Sequence, residues 1–171
     1  MFDIIRDRIV DVPDFPKPGI VFKDITPLLA DPDAFRASID LLAERLPADI
    51  DALAGIESRG FIFASALAAQ TGLPFHLVRK HGKLPRETHG VEYALEYGVD
   101  KVEMHVSSLS EGRRYTIVDD LLATGGTCAA AARLVAQGGC TVVSALFLIE
   151  LAALDGRAQL GPTKVDALLT F

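Results

Sequence analysis

YTIVDDLLATGGT, residues 115–127, carries three signals in one run. Tyr115 to Val118 is a short apolar stretch of the kind a buried strand needs, and it ends in Asp119-Asp120. Thr124-Gly125-Gly126-Thr127 is a turn, and the alanine-rich segment from about Thr127 to Gln137 reads as a helix. Ligands of open α/β sheets sit at the carboxyl ends of the strands. Glycines let backbone approach closely, and the free N–H groups of a helix start attract phosphate. Two adjacent acids repel phosphate but accept hydrogen bonds from a sugar diol. The strand edge therefore reads as a ribose-phosphate cradle, the acids on the ribose and the loop on the 5′-phosphate. The plainer alternative is a solvated acid pair followed by a helix cap.

Working outward, the pattern repeats. ALAGI (52–56) is a short buried strand, Glu57-Ser58-Arg59-Gly60 a turn, Phe61 to Gln70 an apolar helix closed by Gly72, and Pro74 to Val78 a second strand. Further strands are expected at Glu103 to Val106, Thr141 to Ile149 and Val165 to Thr170. Strands alternating with helices imply an α/β fold, a mainly parallel central sheet with helices on both faces. Upstream, Asp3 to Val10 has a helical pattern, and Asp31-Pro32 looks like a helix cap with proline in the first turn, ahead of Phe35, Ile39, Leu42 and Leu46 on one face. Between them VPDFPKPGIVFKD, with three prolines, is expected to be ordered but irregular. Arg79 to Gly98 is polar and broken by Gly82, Pro85 and Gly90, so a long loop is expected there, less ordered than the sheet.

Composition bounds the function. The chain has 171 residues, enough for one domain, 1–171, with no internal repeat or flexible linker. Its net charge of −6 argues against general nucleic-acid binding, which depends on neutralising phosphates. The two cysteines, Cys128 and Cys140, have no metal-ligand spacing, and the four histidines show no zinc pattern. The uncharged run from Gly60 to Val78 is interrupted by Gln70, Thr71, Gly72, Pro74 and His76, so no membrane span is expected. The N-terminus lacks a signal peptide's apolar stretch, which makes the cytoplasm the expected location.

A second cradle stands at GIESRGFIF, residues 55–63, where Arg59 opens a helix beside Ser58. Helix N–H groups with a guanidinium suit a multiply charged anion. Alone, such an arginine is more often a surface residue. Two anion cradles in one small domain fit a substrate with phosphate at one end and pyrophosphate at the other.

The 115–127 run resembles the phosphoribosyl-pyrophosphate motif of type I phosphoribosyltransferases, and its LLATGGT variant is similar to the adenine-specific branch. The resemblance extends over essentially the whole chain. It implies the type I phosphoribosyltransferase fold, with residues 1–30 as a small base-binding hood. It implies transfer of the 5-phosphoribosyl group from 5-phosphoribosyl-1-pyrophosphate to adenine, giving AMP and pyrophosphate, with Mg²⁺ held mainly by substrate and water, and a homodimer. Ala123, Thr124, Gly125, Gly126 and Thr127 would hold the 5′-phosphate, Asp119 and Asp120 the ribose hydroxyls, and Arg59 with the backbone around Ser58 the pyrophosphate. DFPKPGIVFKDITPLL (14–29) resembles the hood: the main chain at Val21 and Lys23 reads the adenine edge, Phe22 stacks on the ring and Leu121 covers its other face. A 6-oxopurine reverses both hydrogen-bond polarities and leaves buried groups unpaired, at roughly 1–3 kcal/mol each. RKHGKLPRET (79–88) and LEYG (95–98) resemble the mobile catalytic loop, in which Lys83 reaches pyrophosphate, Glu96 is the candidate acid/base and Tyr97 sits beside base and ribose. Lys23 stands where many members have arginine, which matters little if only its backbone is used. Two alternatives remain: a sister enzyme for a 6-oxopurine or pyrimidine, against which the hood and the ATGGT loop argue, and a non-catalytic regulator, which need not retain the 79–98 segment.

Overall fold

The computed structural model describes residues 2–95 and 98–171. Two compact units divide the chain, Met1–Leu41 and Leu42–Phe171.

The first unit holds α1 (Phe2–Arg6), β1 (Val10–Pro13), β2 (Val21–Asp24), α2 (Thr26–Ala30) and the start of α3 (Pro32–Ala43). Helix α1 is shorter than the Asp3–Val10 pattern, because Val10 is the first residue of β1. The proline-rich stretch is irregular only in its middle. Its ends form an antiparallel ribbon, from Val10 opposite Asp24 to Pro13 opposite Val21. Prolines exclude a helix there, but at the end of an edge strand they are tolerated. Asp31 caps α3 as expected, its Oδ1 accepting from the N–H groups of Asp33 and Ala34 at 3.1 Å each.

The second unit contains β3 (Ala52–Ile56), α4 (Gly60–Thr71), β4 (Phe75–Lys80), β5 (Thr88–Leu95), β6 (Gly98–His105), β7 (Arg114–Leu122), α5 (Gly126–Gln137), β8 (Thr141–Glu150) and β9 (Lys164–Thr170). They form a seven-stranded sheet of order β5-β6-β4-β3-β7-β8-β9. β4, β3, β7, β8 and β9 are parallel, and the antiparallel pair β5–β6 extends the sheet from β4. Side chains alternate along β3. Ala52, Ala54 and Ile56 join the core built with Cys128, Ala131, Leu134 and Val135 of α5. Gly55 points the other way, where an added Cβ would come within 2.8 Å of Ala64 on α4. The two helices therefore cover opposite faces of the expected mainly parallel sheet. Gly72, at φ +75°, closes α4 and returns its N–H to Ala68 O at 2.9 Å.

The region 79–98 departs most from expectation. Arg79 and Lys80 belong to β4, and Thr88–Leu95 pairs with Gly98–His105, so among the described residues of this region the irregular stretch is the one between Lys80 and Thr88. Val91 and Tyr93 are buried while Glu92 and Ala94 are exposed, a period-2 pattern that the polar composition obscures. Strand β7 also runs past its expected end, carrying Asp119 and Asp120 inside the sheet to Leu122. No helix of the described residues is long and apolar enough to cross a membrane.

Candidate active site

The loop after β7 turns sharply at Gly125, whose φ of +82° suits glycine, and enters α5 at Gly126 without a side-chain cap. The first N–H groups of α5 are thereby left to other acceptors. Ala123 to Thr127, with Asp119 and Leu121, line a cavity of about 90 Å³ at this strand end. The loop rests backbone to backbone on a later segment. A Cβ on Gly156 would stand 2.2 Å from the Ala123 carbonyl oxygen, and a Cβ on Gly125 would stand 2.3 Å from that of Gly156. Arg157 holds this segment in place, its Nε and Nη2 donating to the two carboxylate oxygens of Glu150 at 2.6 and 2.7 Å.

The turn 57–60 reaches the same edge from the neighbouring parallel strand. Gly60 opens α4 so close to β7 that a Cβ there would lie 2.7 Å from Asp119 Oδ1 and 2.8 Å from the Val118 carbonyl oxygen. Only glycine permits that approach, and it brings the second cradle onto the acid pair. Arg59 Nη2 lies 2.9 Å from Asp120 Oδ2. Asp119 Oδ1 accepts from the Asp120 N–H at 2.9 Å. Burial, and then the charge of Asp120, push the Asp119 carboxyl well above the usual range. Burial raises Asp120 as well, with Arg59 pulling against it.

Glu57 organises the basic stretch that follows β4. Lys83 Nζ lies 2.5 Å from its Oε1, Arg79 donates to both of its oxygens at 3.3 Å, and the Lys80 N–H donates to it at 3.0 Å. Burial pushes the Glu57 carboxyl up, but the Lys83, Lys80 and Arg79 donors outweigh it and hold it at about 2. Glu103 shows the same balance, burial against His81, Lys101 and the Gly82 N–H, and also lies at about 2.

Of the residues singled out from the sequence, Arg59, Asp119, Asp120, Leu121 and Ala123 to Thr127 thus share one edge of one sheet, with Ser58 exposed in the turn beside them. Lys83 is tied to Glu57 by the same turn. Val21, Phe22 and Lys23 lie on β2 of the first unit. There the Lys23 side chain is committed to Asp11 at 2.6 Å, and Phe22 meets Phe15 edge to face at 5.2 Å. Glu96 and Tyr97 lie outside the described residues. Sequence reasoning missed Glu57, Gly156 and Arg157. The first stands in the quoted 55–63 motif as an acid facing a basic run, and Asp155-Gly156 is a turn signal, so both left a trace. The Arg157 fork depends on folding and left none.

A mainly parallel sheet with two helix-start cradles and an acid pair on one carboxyl edge, Asp120 buried and Asp119 partly so, defines the class of α/β proteins that hold a sugar carrying phosphate groups. The family model for the phosphoribosyl transferase domain matches residues 25–167. An adenine phosphoribosyltransferase of Anaeromyxobacter dehalogenans (strain 2CP-1) is 54% identical over the full length of both chains. The crystal structure of adenine phosphoribosyltransferase from Thermoanaerobacter pseudethanolicus superposes with a TM-score of 0.97 at 49% identity, covering all of both chains. The Saccharomyces cerevisiae enzyme, solved with an imino-altritol bisphosphate and adenine, gives a TM-score of 0.93 at 39% identity over 98% of each chain. The chain belongs to the phosphoribosyltransferase family, in its adenine phosphoribosyltransferase branch.

Proposed function

We infer that the chain is a purine salvage enzyme that transfers the 5-phosphoribosyl group from 5-phosphoribosyl-1-pyrophosphate to adenine, releasing AMP and pyrophosphate. The observation that carries this reading is the close approach of Gly60 to Asp119, within 2.7 Å for an added Cβ, which sets the two anion cradles on either side of one acid pair. That spacing suits a ribose with phosphate at one end and pyrophosphate at the other.

Residues 123–127 hold the 5′-phosphate on backbone N–H groups and hydroxyls. Asp119 and Asp120 accept from the ribose hydroxyls. Arg59, the backbone at Ser58 and Lys83 receive the leaving pyrophosphate, so Arg59 and Lys83 exchange their present partners, Asp120 and Glu57, for substrate oxygens. By the family resemblance, the main chain at Val21 and Lys23 would read adenine, Phe22 and Leu121 would contact its ring, and Tyr97 would serve base and ribose. Commitment of the Lys23 ammonium to Asp11 fits a role for its backbone alone.

No cluster of three or more His, Cys, Asp or Glu among the described residues is arranged to hold a metal. The acid pair beside the phosphate loop fits a Mg²⁺ held chiefly by substrate oxygens and water, where the ion would neutralise the departing pyrophosphate. The reaction is a displacement at ribose C1 with inversion: N9 of adenine forms the new bond as the bond to pyrophosphate breaks. Glu96 takes the proton that adenine loses at N7 and returns it in the reverse direction. The protein contributes mainly positioning and electrostatics. The family resemblance further implies a homodimer, which light scattering would check.

The test is turnover with the sugar pyrophosphate, Mg²⁺ and each free base in turn. Adenine is expected to be strongly preferred. Comparable kcat/KM with hypoxanthine would overturn the assignment.

A further inference from the structure

One hydrogen-bond chain joins the β5–β6 hairpin to the phosphate loop. The Thr127 hydroxyl lies 3.3 Å from the Tyr93 hydroxyl, which in turn lies 3.3 Å from Asp100 Oδ2. Asp100 also receives Lys80 Nζ at 3.0 Å and the Lys101 N–H at 2.8 Å. Burial raises its carboxyl, but the Lys101 N–H and Lys80 outweigh that and keep it below the usual range, ionised and able only to accept. The direction of the chain follows. Tyr93 must give its single proton to Asp100, so its oxygen can only accept from Thr127. The Thr127 proton is therefore spent on Tyr93.

A phosphate oxygen beside Thr127 demands that same proton. Thr127 can donate to phosphate while staying bonded to Tyr93 only if the tyrosine hydroxyl rotates and donates to Thr127. Asp100 then loses one donor and keeps Lys80 and the Lys101 N–H. No proton is transferred; two O–H bonds turn. Tyr93 is only 7% exposed, so water has little access to take its place.

We propose that Tyr93 is a positioning residue for the sugar-phosphate end of the substrate, supporting Thr127 as a donor to the 5′-phosphate by reversing the direction of the Tyr93–Thr127 hydrogen bond. The inference rests on the assignment of Thr127 to the 5′-phosphate. It also gives the hairpin a link to phosphate occupancy, because Asp100 and Lys80 stand where β6 and β4 carry the hairpin.

The experiment is a double-mutant cycle read by calorimetric binding of ribose 5-phosphate to the whole chain, with melting temperatures alongside. Tyr93→Phe keeps the buried ring and removes only the hydroxyl. It is expected to weaken ribose 5-phosphate about 3- to 10-fold, the range of one hydrogen bond, because Thr127 loses the donor that holds its hydroxyl toward phosphate. The long Tyr93–Asp100 bond that no longer has to be given up is covered by the other two donors on Asp100. The KM for the sugar pyrophosphate should rise in parallel while the KM for adenine is unchanged. Thr127→Val weakens binding on its own, and adding Tyr93→Phe to it has no further effect. Thr127→Ser, which retains the hydroxyl, keeps the dependence on Tyr93. Equal weakening by Tyr93→Phe in the parent and Thr127→Val backgrounds would overturn the proposal and reduce Tyr93 to packing, as would unchanged binding in Tyr93→Phe. Unchanged binding in Thr127→Val is a different failure: it removes Thr127 from the phosphate site, and the proposal with it.

Discussion

Arg59 and Asp120 face each other across the carboxyl edge of the sheet, Nη2 2.9 Å from Oδ2, with Asp120 buried and Arg59 partly exposed. Asp119, next in the chain, has no cation within ion-pair distance among the described residues, and burial and the Asp120 charge both disfavour its ionised form. The two acids of one motif therefore differ in what their removal does. Asp119→Asn should leave the melting temperature unchanged or raised, because it deletes a charge that the fold resists. Asp120→Asn removes the charge that faces Arg59 at 2.9 Å and should cost on the order of 1 kcal/mol. Both should raise the KM for the sugar pyrophosphate and lower kcat. Thermal melts and steady-state kinetics check both halves; full activity with lowered stability in both would make the acids structural.

Gly156 touches no substrate in the proposed reaction, yet the 123–127 loop leans on it. A methyl group there would meet the Ala123 carbonyl oxygen at 2.2 Å, so one backbone must give way. Gly156→Ala should raise the KM for the sugar pyrophosphate by an order of magnitude or more and destabilise by roughly 1–3 kcal/mol. The KM for adenine should change little. Kinetics with each substrate varied in turn separate these effects.

The anchoring of Lys83 by Glu57 makes a prediction in pH. Glu57 is held at about 2 in the folded protein against an ordinary value of 4.5. A depressed carboxyl stabilises the fold while the unfolded chain would also be ionised, and that contribution is lost as pH falls through the folded value. The stability advantage of the parent over Glu57→Gln should thus be full above about 4.5 and fade toward about 2. Melting temperatures of both proteins across that range test it. A difference that stays constant with pH would mean that Glu57 acts through packing.

Pairing of β5 with β6 over Thr88–Leu95 and Gly98–His105 changes what hydrogen exchange should find in the 79–98 region. Amides bonded across that ladder should be protected in the protein without ligand, while those between Lys83 and Thr88 exchange first. Uniformly fast exchange from Arg79 to Leu95 would contradict the ladder.

Glu96 is tested by kinetics. If it handles the purine proton, Glu96→Gln should slow the chemical step about 10²–10⁴-fold in single turnovers, with adenine affinity little changed. A single-turnover rate near that of the parent at saturating substrates removes it from the mechanism.

Local signals in the chain were sufficient for much of this. A buried strand, its acid pair, a glycine turn and a helix follow one another in 115–127, and that order alone places the 123–127 loop between a strand and a helix, although the strand runs on past Asp119 and Asp120 to Leu122. The same holds for Arg59 at the start of α4 and Asp31 at the start of α3, because caps and turns are read over a few residues. Polar composition misled where the decisive contacts were across strands: β5 looked like loop because its apolar residues, Val91 and Tyr93, cover one face only. Tertiary structure alone decided that Gly60 presses on Asp119, that Gly156 backs the 123–127 loop, that Glu57 holds Lys83 and that Tyr93 reaches Thr127. Each joins elements far apart in sequence. Which partners meet across such a gap is set by strand order and register, and no short window of residues contains that.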